Sequence, residues 1–136
     1  MEKKQHIIGF EPLLTREKDG KRTYVHHMTL FECKFSAKHF DPEAFSKNAN
    51  DLDKWTKSNG VECSSNLYSS GNWDSCVTPV ATYAYGGLSH YLPDHVGIPF
   101  SGKQKYYMLE IHYENPNKNN FVDHSGFRIH YTSKLR

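Results

Sequence analysis

A chain of 136 residues with 37% hydrophobic and 14% aromatic content can bury about two thirds of its unfolded surface in one domain. A formal net charge of +2 without a basic stripe points to neither nucleic acid nor a membrane surface. No apolar run approaches the ~20 residues of a transmembrane helix, and Met1-Glu2-Lys3-Lys4-Gln5 leads into no signal-peptide core.

Residues 6–14, His-Ile-Ile-Gly-Phe-Glu-Pro-Leu-Leu, are β-prone and end in a polar turn from Thr15 to Lys21, where Asp19-Gly20 is a hairpin signal. Residues 22–33 return as a second strand. Regular alternation there sets Val25, His27, Thr29, Phe31 and Cys33 on one face and Tyr24, His26, Met28, Leu30 and Glu32 on the other. Adjacent His26 and His27 should then point to opposite sides. Neutral imidazole is a good ligand for copper and zinc, but a shared ion needs a bulge or a strand end at this pair. In the plainer alternative, one histidine faces solvent and the other packs.

Asp41-Pro42-Glu43 opens a short helical excursion, expected around residues 41–57, with Phe45, Leu52 and Trp55 turned inward. Residues 61–75 read as loop. Strand character resumes from Val77 to Tyr85 and stops at Gly86-Gly87, and a further loop runs from Leu88 to Gly102. Lys105 to Tyr113 is the clearest strand: Tyr107, Leu109, Ile111 and Tyr113 alternate with Met108, Glu110 and His112. Asn115-Pro116-Asn117 ends it, and Ser125-Gly126 opens a last strand, Phe127 to Thr132. Short strands with irregular loops predict an all-β fold, an antiparallel β-sandwich of the jelly-roll kind.

Nine histidines are many for this length, and the three cysteines, Cys33, Cys63 and Cys76, fit no zinc spacing such as Cys-x-x-Cys. Several stretches stand out in order: His6-Ile-Ile-Gly-Phe-Glu-Pro12, Tyr24-Val-His-His-Met28 with Leu30-Phe31-x-Cys33, Tyr83-Ala-Tyr-Gly86 and Leu92-Pro-x-x-Val-Gly-Ile-Pro99. Tyr107-x-Leu-Glu-Ile-His-Tyr-x-Asn-Pro116 and Ser125-Gly-x-Arg-x-x-Tyr-Thr-x-Lys-Leu-Arg136 complete the set. Together they resemble the N-terminal copper domain of the type II, ascorbate-dependent copper monooxygenases. The Asn-Pro and the Tyr-Thr-x-Lys-Leu-Arg ending make the chain most similar to the dopamine β-hydroxylase branch. Tyr83 stands where the family usually has Trp, and the Cys33–Cys63 interval is longer than the family pattern.

The resemblance implies a two-domain enzyme that hydroxylates a C–H bond with dioxygen, using ascorbate as reductant. It implies one copper in this domain, held by His26, His27 and His112, which supplies an electron while the reaction proceeds at a second copper. That second site uses a His-x-His pair and a methionine in a C-terminal domain. The sequence 1–136 has no His-x-His, so the C-terminal copper domain is expected to be missing and the chain inactive alone; the family partner of Cys63 lies on an earlier strand, so this single N-terminal domain is also expected to lack its first strand. Three imidazoles without a thiolate suit both copper oxidation states. If they bind through Nδ1, the ring nitrogen nearer the backbone, two neighbouring residues can converge on one ion at a local kink.

The resemblance further implies a Cys33–Cys76 disulfide, a Cys63 whose partner is absent, a secretory-pathway location and a small, phenethylamine-like substrate for the full enzyme. The alternatives are a non-catalytic copper-binding sandwich or truncated isoform acting as a binding module, and zinc at the same histidines. His6 is expected to be structural, and His39, His90, His95, His124 and His130 exposed or in loops. Glu110, two positions from His112 on one face, could orient a ligand, the plainer alternative being a carboxylate that simply faces solvent.

Overall fold

The computed structural model of the chain describes residues 4–16, 20, 22–33, 55–66, 73, 75–100 and 106–136. Among these, the strands in order are β1 (Gln5–Leu13), β2 (Val25–Cys33), β3 (Thr78–Ala84), β4 (His90–Tyr91), β5 (Ile98–Phe100), β6 (Tyr106–Tyr113) and β7 (Gly126–Thr132). They form two antiparallel sheets, the all-β sandwich expected. One is centred on β1, with β7 on one edge and β5 and β4 in succession on the other; the second has the order β3-β2-β6. Most of the expected 41–57 excursion lies outside the described residues; Trp55 and Thr56, near its end, are helical.

Two short strands were not expected. β4 and β5 lie inside the stretch that reads as a loop from Leu88 to Gly102. Neither is long enough to show an alternation of its own, and Pro99 in β5 argues locally against a strand. They exist because β1 offers an edge: Gln5 to Ile7 pair with β5, Gly9 and Phe10 with β4. Pro99 is tolerated because β5 is an edge strand. Gly9 makes the β4 contact possible, since a Cβ there would lie 2.6 Å from the Tyr91 ring and 2.8 Å from the His90 carbonyl oxygen. A larger residue would push β4 off the sheet.

The core sits between the sheets. Val25, Met28 and Tyr83 form its buried centre, with Leu14, Ile111 and Phe127 packed against them. Met28 and Val25 are the largest fully buried side chains, and each contributes about 1.5–3 kcal/mol by leaving water. Farther along, Ile7, Leu30, Tyr107, Ile129 and Tyr131 surround an apolar gap of about 260 Å³. Glu32 is buried beside this region, in register with Tyr107. Burial, then the nearby Glu32 charge, pushes the Tyr107 phenol up to about 12.

Cys33, at the end of β2, is bonded to Cys76, just before β3, and both are buried. The bridge closes a separation of 43 residues, for which the chain-entropy account gives about 4 kcal/mol.

A second tie joins the β6–β7 loop to the β1–β2 connection. Asp123 accepts hydrogen bonds from Tyr113 Oη (2.8 Å) and Ser125 Oγ (2.6 Å). Thr15 N–H donates to Ser125 Oγ and His124 N–H to Thr15 Oγ1. Burial alone raises the Asp123 carboxyl, but the hydrogen bonds from Ser125, Tyr113 and Thr15 outweigh it and hold the group below its ordinary value. The same bond, after burial, pushes Tyr113 up to about 12.

Replacing Cys33 and Cys76 together by Ala should lower the unfolding free energy by about 2–4 kcal/mol in a urea titration. An unchanged midpoint would show that the bridge does not hold the sheet. Because the folded Asp123 pKa is depressed, its contribution is present above the ordinary carboxyl range and is lost as pH falls below about 4. Asp123→Asn should therefore be less stable than the parent at pH 7, and the two should converge in acid. A difference that persists at pH 2 would contradict the linkage.

Candidate metal centre

The sequence Val25-His26-His27-Met28 sets two polar rings between two apolar residues. A regular strand sends residues three apart to opposite faces, so it could bury only one of Val25 and Met28. In the structure both are buried, at 1% and 0% exposure. The chain achieves this with a β-bulge: Val25 pairs with Tyr113, the next pair is His27 with His112, and His26 is the extra residue. On its other edge β2 stays in step with β3 at this point, with Tyr85 N–H donating to the His26 carbonyl (2.9 Å) and His27 opposite Ala84; that edge shifts register only farther on, between Leu30 and Phe31. Thr23 Oγ1 accepts from Val25 N–H at 3.2 Å as the strand begins.

The expected split of the two histidines onto opposite faces is therefore corrected. Both leave the core side, His26 exposed and His27 half-buried. Burying two apolar side chains and leaving two imidazoles outside the core is better than the regular arrangement, which would bury an imidazole in place of Val25 or Met28.

The bulge brings the rings together. His26 Nδ1 and His27 Nδ1 are 3.1 Å apart. Two nitrogens bound to one ion at about 2.0–2.1 Å are separated by roughly 3 Å, so this pair already has the spacing of a chelate. His112 stands opposite His27, its ring stacked on that of His27 at 4.7 Å between centroids and 16° between planes. The His26–His112 centroid distance is 5.5 Å. All three sequence-predicted ligand residues thus meet at one place. Their nitrogens do not yet converge: among the described residues no group of three or more His, Cys, Asp or Glu side chains is arranged to hold a metal. Near-parallel rings carry their in-plane lone pairs side by side, and His27 and His112 are such a pair.

An open recess of about 430 Å³ adjoins the rings, lined by His26, His112 and the start of the following loop, Tyr113 to Pro116. Glu110 lies opposite Thr29, two pairs along from His27–His112 on the same face. A more enclosed cavity of about 360 Å³ lies farther down this face, between Trp55, Trp73 and the Tyr106–Glu110 part of β6, and the exposed free thiol of Cys63 lines it.

The other histidines stand apart from the site. His6 Nδ1 accepts the Arg136 backbone N–H at 3.1 Å, a structural use. His90 and His130 lie on strands, and His130 is half-buried rather than a loop residue. His130 Nε2 is 3.4 Å from Glu11, which also takes a hydrogen bond from Arg128 at 2.9 Å. The Arg128 guanidinium leads in holding the Glu11 carboxyl below the usual range. That cross-strand network on β1 and β7 was not anticipated from sequence. His39 lies outside the described residues.

The family model of the copper type II ascorbate-dependent monooxygenase N-terminal domain matches residues 1–120. Over 138 residues the chain is 51% identical to MOXD1 homolog 1 of Drosophila melanogaster, covering 98% of this chain and 18% of that protein. It is 37% identical to tyramine β-hydroxylase of Caenorhabditis briggsae, covering 98% of this chain and 20% of the relative. It is 32% identical to dopamine β-hydroxylase of Canis lupus familiaris, covering 98% and 19%. No solved structure matches the chain. The chain thus spans about a fifth of the length of these relatives, from 18% to 20%. Family model and relatives agree, and the chain belongs to the copper type II ascorbate-dependent monooxygenases, in the region of their N-terminal domain.

Proposed function

We infer that this chain is the electron-storing copper half of an ascorbate-dependent monooxygenase, with His26, His27 and His112 as the ligands. The observation that carries the reading is the 3.1 Å approach of the His26 and His27 Nδ1 atoms at the bulge, with His112 against them. A copper ion held there would supply one-electron chemistry, with ascorbate as the electron donor. The residues hold it in place. The bulge sets two nitrogens 3.1 Å apart, and His112, against the His27 ring, would supply the third. The exposed edge of His26 and the open recess leave the centre accessible to a small reductant.

The hydroxylation itself belongs, on this reading, to a larger protein. A C-terminal domain with its own copper would bind dioxygen and substrate, and the names of the relatives, dopamine and tyramine β-hydroxylase, suggest a phenethylamine-like substrate. The Cys33–Cys76 bridge fits an oxidising compartment, which supports a secretory-pathway location.

Two measurements test the ligand set. The chain should take up one equivalent of Cu(II), with a paramagnetic signal that ascorbate abolishes, and His112→Ala should weaken uptake at least tenfold. Copper content unchanged in that variant would sink the assignment; Zn(II) uptake without an ascorbate-sensitive Cu(II) signal would replace copper with zinc. Deleting His26 is the sharper probe. Val25 and Met28 then stand two apart and share a face by ordinary alternation, so the core should survive while the chelate is lost. Circular dichroism should stay that of a folded β-protein as Cu(II) affinity falls. Undiminished affinity in the deletion would remove the bulge from the mechanism.

A further inference from the structure

The residues that follow His112 do more than turn the chain. The β6–β7 loop is bonded within itself: Asn115 Nδ2 donates to the Asn119 carbonyl and Asn119 N–H to Asn115 Oδ1, at 2.9 and 3.0 Å. Lys118 takes a positive φ of 51° to close this turn and donates its N–H to the Asn115 carbonyl. So folded, the loop presents Phe121 to two tyrosines. The Phe121 ring stacks on Tyr24 at 4.3 Å and 22°, and meets Tyr113 at 5.5 Å and 63°. Tyr24 lies two residues before His26, and Tyr113 directly after His112. Asn119 Nδ2 donates to Tyr24 Oη, Glu114 N–H donates to the Tyr24 carbonyl, and Tyr113 Oη donates to Asp123.

These contacts meet at the last residue pair before the bulge, Val25 with Tyr113. Beyond that pair β2 and β6 fall out of step by one residue, which is where a ladder is weakest and where the three imidazoles stand. The Phe121 ring spans both strands at the end that the bulge leaves poorly tied. The stack is only partly shielded: Phe121 is 36% exposed and Tyr113 41%. An apolar ring held in part-exposed contact by an internally bonded loop, when the core lies on the other side of Val25, needs a reason beyond burial.

The geometry points to the β6–β7 loop as a clamp on the metal centre, with Phe121, Tyr113 and Asp123 as positioning residues that hold the His26 bulge against His112. This inference rests on the copper reading above. The clamp residues bind no metal; they act by fixing the separation of the two strands that carry the ligands. Groups hydrogen-bonded directly to a ligand are commonly worth about 10–100-fold in metal affinity; the clamp acts through the strands instead, so the lower end of that range is expected.

The test measures Cu(II) affinity of the 136-residue chain by competition, together with its electron paramagnetic resonance spectrum. Phe121→Ala and Tyr113→Phe should each weaken Cu(II) by about tenfold and broaden or shift the copper hyperfine lines. Phe121→Tyr, which keeps the ring, should restore parent values. Val122→Ala, in the same loop at a residue 72% exposed, should change nothing. Tyr113→Phe loses only a hydroxyl, so it remains informative if Phe121→Ala fails to fold. Parent-like affinity and spectra in folded Tyr113→Phe and Phe121→Ala overturn the clamp while leaving the copper assignment intact. A parent chain that takes up no Cu(II) overturns both.

Discussion

One residue too many in β2 is the constraint from which the candidate site follows. Val25 and Met28 are separated by two histidines, and the core of the sandwich needs both. A strand satisfies that demand only by letting one residue slip out of pairing with β6, and the slip falls at His26. The cost is a local break in the ladder. The return is that two side chains that should oppose one another emerge on the same side with their Nδ1 atoms 3.1 Å apart. Packing and the pairing of the two rings are here the same event, since the two apolar residues that set the bulge also bring the histidines to one side.

His112 reaches the pair through ordinary antiparallel register. Three more β6 residues below it on the same strand face β2 in step, from Ile111 opposite Met28 to Leu109 opposite Leu30, so the ring arrives opposite His27 by pairing alone. At the far end of β2 the Cys33–Cys76 bridge fixes the strand covalently. At the near end the Phe121 ring contacts Tyr24 and Tyr113, beside the Val25–Tyr113 pair that precedes the bulge. The strand carrying two of the rings is thus held at both ends by different means, a covalent bond at one and stacked rings at the other.

How much of this was legible in the sequence varied with how local its cause is. β1, β2, β3, β6 and β7 all lie where alternation and turn residues place them, because each has enough residues to show a period. β4 and β5 were invisible because their only reason to be extended is the free edge of β1. His26, His27 and His112 could be grouped only through the family resemblance, as could the pairing of Cys33 with Cys76. Alternation by itself argued against the histidine pair. A signal was nevertheless present: apolar residues three apart in a strand, with polar residues between, mark a bulge wherever both apolar side chains are needed inside. The Glu11–Arg128–His130 network and the Phe121 contacts link residues about a hundred or more apart, or depend on loop shape, and nothing in the local sequence announces them.

The adjacency of His26 and His27 has a thermodynamic side. Their proximity is covalent, so the unfolded chain keeps the pair together and retains part of whatever affinity the pair has for an ion. His112 is near them only in the folded sheet. A ligand that binds both states stabilises the fold only by the difference between its affinities for them. For an ion shared by the three rings, that difference resides in His112 and in the bulge geometry. On the proposed copper reading, the pair would capture a metal early, and the third ring would join it once β6 has docked on β2.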